Sequence, residues 1–78
     1  MIAAHKYLNL NLSVLNLGGL ILTILKEDGA IKYQELFDKV MLASGENAKE
    51  VFLPTLSFLF LLGKIEYQKE IDTIEFVA

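Results

Sequence analysis

Residues Val51–Ile65 read VFLPTLSFLFLLGKI, a run whose single charge is Lys64. Leu56, Leu59 and Leu62 recur at three-residue spacing, which a helix of 3.6 residues per turn gathers on one face. Gly63 suits the left-handed position that closes a helix. Beyond it, Ile65 and Tyr67 alternate with Glu66 and Gln68, the mark of a strand. The stretch therefore predicts a continuous helix from about Ala48 to Leu62 that runs into a glycine stop and then a strand. Pro54 lies inside it and removes a backbone donor. Proline is benign in a first turn and costs about 3 kcal/mol in a helix interior, so a bend or an irregular first turn is expected. The remaining faces carry Phe52, Leu53, Phe58, Phe60 and Leu61. A helix apolar all round needs cover on every side, and a chain this short can hardly supply it, so a partner is expected.

Working outward, Ile71, Ile74 and Phe76 follow a turn around Lys69 and Glu70, which predicts a β-hairpin. Its turn lacks glycine, asparagine and proline and is therefore not expected to be a tight two-residue one. On the other side, Leu36, Phe37, Val40 and Met41 mark a second helix of about Tyr33 to Ala43, with Glu35, Asp38 and Lys39 on its wet side. Ser44 to Asn47 break it. Ala30 to Lys32 predict a short strand that pairs with the hairpin, after a turn at Glu27, Asp28 and Gly29. A first helix is expected over about Val14 to Lys26, capped by Ser13. Gly18 and Gly19 sit inside it, each costing about 1 kcal/mol relative to alanine; the pair suggests close approach of another backbone, whether inside the domain or in a partner. Lys6–Leu12, KYLNLNL, alternates Leu8, Leu10 and Leu12 with Asn9 and Asn11, which predicts an edge strand or extended arm. The order of arm, helix, short strand, helix, helix and hairpin is that of a winged helix-turn-helix. The expectation is thus an α+β fold of three helices with a C-terminal β-hairpin wing, comprising an arm over 1–12 and a winged-helix domain over 13–78.

Composition narrows the function. Seventy-eight residues make one domain, because two cores would each fall below the roughly 40 residues at which unaided folding becomes difficult. The chain is 54% hydrophobic and only 22% charged, richer in apolar residues than so small a body needs for itself, and such excess points to an interface. Ten acidic residues against seven lysines give a net charge of −3, with no arginine. That balance argues against phosphate contacts and base-edge recognition. The longest charge-free segment, Tyr7–Leu25, spans 19 residues, but Asn9, Asn11, Ser13, Asn16, Gly18, Gly19 and Thr23 interrupt it, so no membrane span is expected. No small-residue cleavage pattern follows the apolar stretch, and a cytoplasmic protein is expected.

No catalytic constellation emerges. His5 is the only histidine, cysteine is absent, and the three serines have no base at a recognisable spacing. Gly18 and Gly19 lack the separated pattern and lysine of a phosphate-binding loop. The expectation is a non-enzyme with no metal and no cofactor. Direct sequence-specific DNA binding is not expected either, because the outward side of the third helix would present Pro54, Ser57, Phe58 and Leu61, and the wing carries Glu66, Glu70, Asp72 and Glu75 against Lys64 and Lys69.

Three pieces carry a resemblance: LNLGGLILTILKEDG at Leu15–Gly29, YQELFDKV at Tyr33–Val40, and LPTLSFLFLLGKIEY at Leu53–Tyr67. They are similar to the small winged-helix middle-component proteins of bacterial ABC three-component and Lamassu-type antiphage systems. In those systems the small protein is encoded between an effector, often a nuclease, and an SMC/Rad50-like ATPase. The resemblance implies a non-catalytic adaptor that joins the two within a hetero-oligomer. The residues expected to meet partners are Leu53, Pro54, Phe58, Phe60 and Leu61 of the third helix, with Leu8 and Leu10 of the arm as an added strand. The alternative is a homodimeric winged-helix transcription regulator.

Overall fold

The computed structural model describes residues 2–45 and 48–77, with the side chains of 13–45 and 48–77. Three helices, α1 (Ile2–Asp28), α2 (Tyr33–Ser44) and α3 (Lys49–Leu61), alternate with three strands, β1 (Ile31–Lys32), β2 (Ile65–Gln68) and β3 (Thr73–Phe76), in the order α1-β1-α2-α3-β2-β3. The fold is α+β. Its strands form one antiparallel sheet in the order β1-β3-β2, with Ile31 opposite Ile74 and Ile65 opposite Phe76. The short strand before α2 therefore pairs with the C-terminal hairpin, as the sequence led us to expect.

The stop at the end of α3 is a two-bond cap. Gly63 has φ +71°; its N–H donates to the Phe60 carbonyl at 2.9 Å, and the Lys64 N–H donates to the Leu59 carbonyl at 3.0 Å. This is the Schellman pairing, which satisfies two carbonyls that the helix leaves open and turns the chain away. The turn delivers Ile65 to the core, 3% exposed. α3 is continuous through Pro54. One turn is held by a side chain as well as by the backbone, because the buried Thr55 hydroxyl donates to the Val51 carbonyl at 2.7 Å.

The core is shared by all layers. Leu17, Ile21 and Leu25 of α1 meet Leu36 and Val40 of α2, Val51, Phe52, Leu56 and Leu59 of α3, and Ile31, Ile65 and Ile74 of the sheet. Two expectations for α3 are corrected here. Phe52 needs no partner from outside: it is 1% exposed, with Tyr33 and Phe37 edge-on to its ring at 5.6 and 5.1 Å. Leu62 lies past the last helical turn and is 54% exposed, so the core face is Val51, Phe52, Thr55, Leu56 and Leu59 instead of Leu56, Leu59 and Leu62.

The arm is also corrected. Ile2–Leu12 is helical and continuous with the rest of α1, and Ser13 lies inside the helix, where it caps nothing. Leu8, Leu12 and Leu15 are spaced i, i+4 and i+7, so the same leucines satisfy a helical period. A helix also closes its backbone hydrogen bonds within the segment, whereas a lone strand needs an edge. At about 1.5 Å per residue α1 is about 40 Å long, close to the 44 Å longest dimension of the molecule. The glycine pair brings no unusually close backbone. A Cβ on Gly18 would meet Leu59 and Thr55 side chains at ordinary distances of 3.6 and 3.7 Å, and one on Gly19 would meet nothing within 4 Å. Gly19→Ala is accordingly expected to stabilise the domain by about 0.5–1 kcal/mol, read as a rise in the thermal midpoint; a fall would mean that α1 is not helical at that position.

The hairpin turn spans Lys69–Asp72. Ile71, expected in the second strand, sits in this turn and is 58% exposed. Asp72 adopts φ +51°, the left-handed conformation that aspartate tolerates better than most residues, and so stands in for the missing glycine.

Candidate functional site

α3 buries one half of its surface and leaves the other half in water, and both halves are apolar. On the outward half Leu53 is 61% exposed, Phe58 36%, Phe60 42% and Leu61 88%, with Pro54 and Ser57 exposed between them. Apolar side chains at this density on one helix face mark a surface that gains by leaving water. At 100° per residue the face divides in two. Leu53, Ser57 and Phe60 border the hairpin, whereas Pro54, Phe58 and Leu61 form a crest pointing away from it.

Between α3 and the hairpin lies a groove of about 420 Å³. Leu53, Leu56 and Phe60 make one wall, Tyr67 and Ile74 of the hairpin the other, and Tyr33, Ser57 and Asp72 complete it. The register explains the second wall: Tyr67 pairs with Ile74 across β2 and β3, so both side chains share a face of the sheet. Asp72 is the one charged residue lining the groove. Its Oδ1 accepts the Tyr67 hydroxyl at 2.5 Å, and its carbonyl accepts the Tyr33 N–H at 3.1 Å. The bond to Asp72 is the main cause of a Tyr67 hydroxyl that ionises above the ordinary tyrosine range, with desolvation and the Asp72 charge adding to it. Within 4.0 Å, the ion pair among the described residues is Lys39 with Asp28, across α1 and α2. Asp72 therefore has no cationic partner among them.

The expected partner-facing residues separate cleanly. Leu53, Pro54, Phe58, Phe60 and Leu61 are exposed on α3. Leu8 and Leu10 belong to α1 rather than to an added strand, and their side chains lie outside those described. The groove itself was missed. Tyr33 stands far in the chain from Tyr67 and Asp72, which share the hairpin, and the sheet brings the three together; the one signal was a glycine-free turn needing a residue that accepts positive φ. Among the described residues, no three histidine, aspartate or glutamate side chains come together to hold a metal ion, and no helix is long and apolar enough to cross a membrane.

Residues 29–77 match the family described as ABC-three component (ABC-3C) system Middle Component 8, and the chain belongs to that family. No curated protein and no solved structure matches it. The matched segment begins at Gly29, where α1 ends, and takes in α2, α3 and the whole sheet.

Proposed function

We propose, with membership of the middle-component family as the premise, that this protein is the non-catalytic adaptor of a bacterial antiviral defence complex of the ABC three-component or Lamassu type. It joins an SMC/Rad50-like ATPase to an effector, a nuclease on the family resemblance, and acts in the cytoplasm as a winged-helix docking module. The observation that carries this reading is the outward half of α3, where Leu53, Phe58, Phe60 and Leu61 are exposed together. A helix that read a DNA groove would offer polar or basic groups there, and the chain has no arginine and a net charge of −3. The adaptor therefore accounts for this face better than the homodimeric regulator.

The test is to express the tagged chain with its chromosomal neighbours and measure the mass of what is recovered. The adaptor reading expects a large ATPase and an effector in one complex with the small chain. Recovery of the chain alone, self-associated and binding DNA in a salt-sensitive way, overturns it and leaves the homodimeric regulator.

A further inference from the structure

The groove between α3 and the hairpin differs chemically from the crest beside it. The crest is apolar throughout, but the groove has aromatic walls and a single carboxylate, Asp72, at its hairpin side. One oxygen of that carboxylate accepts the Tyr67 hydroxyl. No side-chain cation lies within 4.0 Å of it among the described residues. A carboxylate beside apolar surface is costly to cover unless what covers it brings a charge of the opposite sign.

We propose that this groove seats an arginine or lysine side chain from a segment of a partner subunit, its aliphatic stem along Leu53 and Phe60 and its cationic head at Asp72. The occupant follows from complementarity. Tyr33, Phe60 and Tyr67 line the groove, aromatic rings attract a cation, and an apolar wall suits the methylene stem of a long basic side chain. The open groove of about 420 Å³ has room for one such side chain. Glu66 and Glu75 pair on the opposite face of the sheet from Tyr67 and Ile74, and the Lys32 ammonium donates to the Ile71 carbonyl at 3.2 Å, so the charge that draws a cation into the groove is that of Asp72. The chain has no arginine of its own. The assignment of the segment to another subunit rests on the adaptor reading; the chemistry of the groove does not.

The full chain, labelled with ¹⁵N, is titrated with the peptide acetyl-Ala-Leu-Arg-Leu-Ala-amide and with its twin in which citrulline replaces arginine. Chemical-shift changes are expected at Leu53, Phe60, Tyr67 and Asp72, with the arginine peptide binding about tenfold more tightly than its neutral twin. Asp72→Asn is expected to bring the two affinities together, and asparagine tolerates the left-handed conformation at this position. Should that variant fail to fold, the arginine-to-citrulline ratio of the unaltered chain decides. Equal binding of the twins, shifts elsewhere, or none at millimolar peptide overturns the proposal. So does the same pattern of shifts on concentrating the chain without peptide, which would give the groove to a second copy. Failure here alongside a recovered complex removes the groove assignment alone. Arginine selectivity without a complex removes the adaptor reading alone.

Discussion

Phe52→Ala is expected to lower the thermal midpoint of the isolated chain by about 15 °C or more. The ring is 1% exposed and fills the space where α2 meets α3, edge-on to Tyr33 and Phe37. Truncating a buried phenylalanine costs about 3–5 kcal/mol, because transfer and cavity terms add. Native stability of roughly 0.05–0.15 kcal/mol per residue amounts to about 4–12 kcal/mol for a domain of this size, so this one change removes a large share. For domains of about 60–100 residues each kcal/mol shifts the midpoint by about 4–8 °C. Circular dichroism melts of the two chains measure it, with Phe60→Ala as the comparison: Phe60 lies on the same helix but is 42% exposed, and its loss is expected to move the midpoint by only a few degrees. A drop of less than about 5 °C for Phe52→Ala would mean that the aromatic trio does not tie α2 to α3.

Much of this architecture was legible because it rests on local chemistry. Gly63 after an apolar run announced both the helix stop and the strand behind it, and both formed. The period of Leu36, Phe37, Val40 and Met41 placed α2 to within a residue of its observed end at Ser44. What was not legible has three physical causes. Five alternating residues at Leu8–Leu12 fit a strand and a helix alike, and the helix closes its hydrogen bonds within the segment and extends α1 without a new nucleus. On α3 the ambiguity was of another kind. When nearly every position is apolar, period alone does not say which face is inward, so Phe52 was assigned outward and Leu62 inward, the reverse of the finding. The groove was beyond reach for a third reason: its walls meet only once the hairpin has folded back, and no spacing in the chain encodes that meeting.

Leu61→Asp is expected to abolish recovery of partner subunits while leaving the fold intact. Leu61 is 88% exposed, and substitutions at such positions change stability by about 0.5 kcal/mol or less. In a complex that covers the crest, the same carboxylate would be buried against apolar surface without a cation, at a cost of several kcal/mol. Since 1.4 kcal/mol is a tenfold change in affinity, a loss of at least about a hundredfold is expected. Phe58→Asp, which the sequence alone would have ranked as its equal, is the poorer probe: at 36% it is the least exposed of Leu53, Phe58, Phe60 and Leu61, and its loss mixes some folding cost with a binding cost. Leu59→Asp makes the opposite control, because Leu59 is 2% exposed and its replacement is expected to unfold the domain. Co-expression followed by mass measurement, with circular dichroism on each variant, separates the cases. A folded Leu61→Asp chain that still recovers both neighbours would show that the crest is not covered in the complex, and docking would then have to run through the groove side of α3, where Leu53 and Phe60 remain. Recovery of one neighbour without the other would assign the crest to the subunit that was lost.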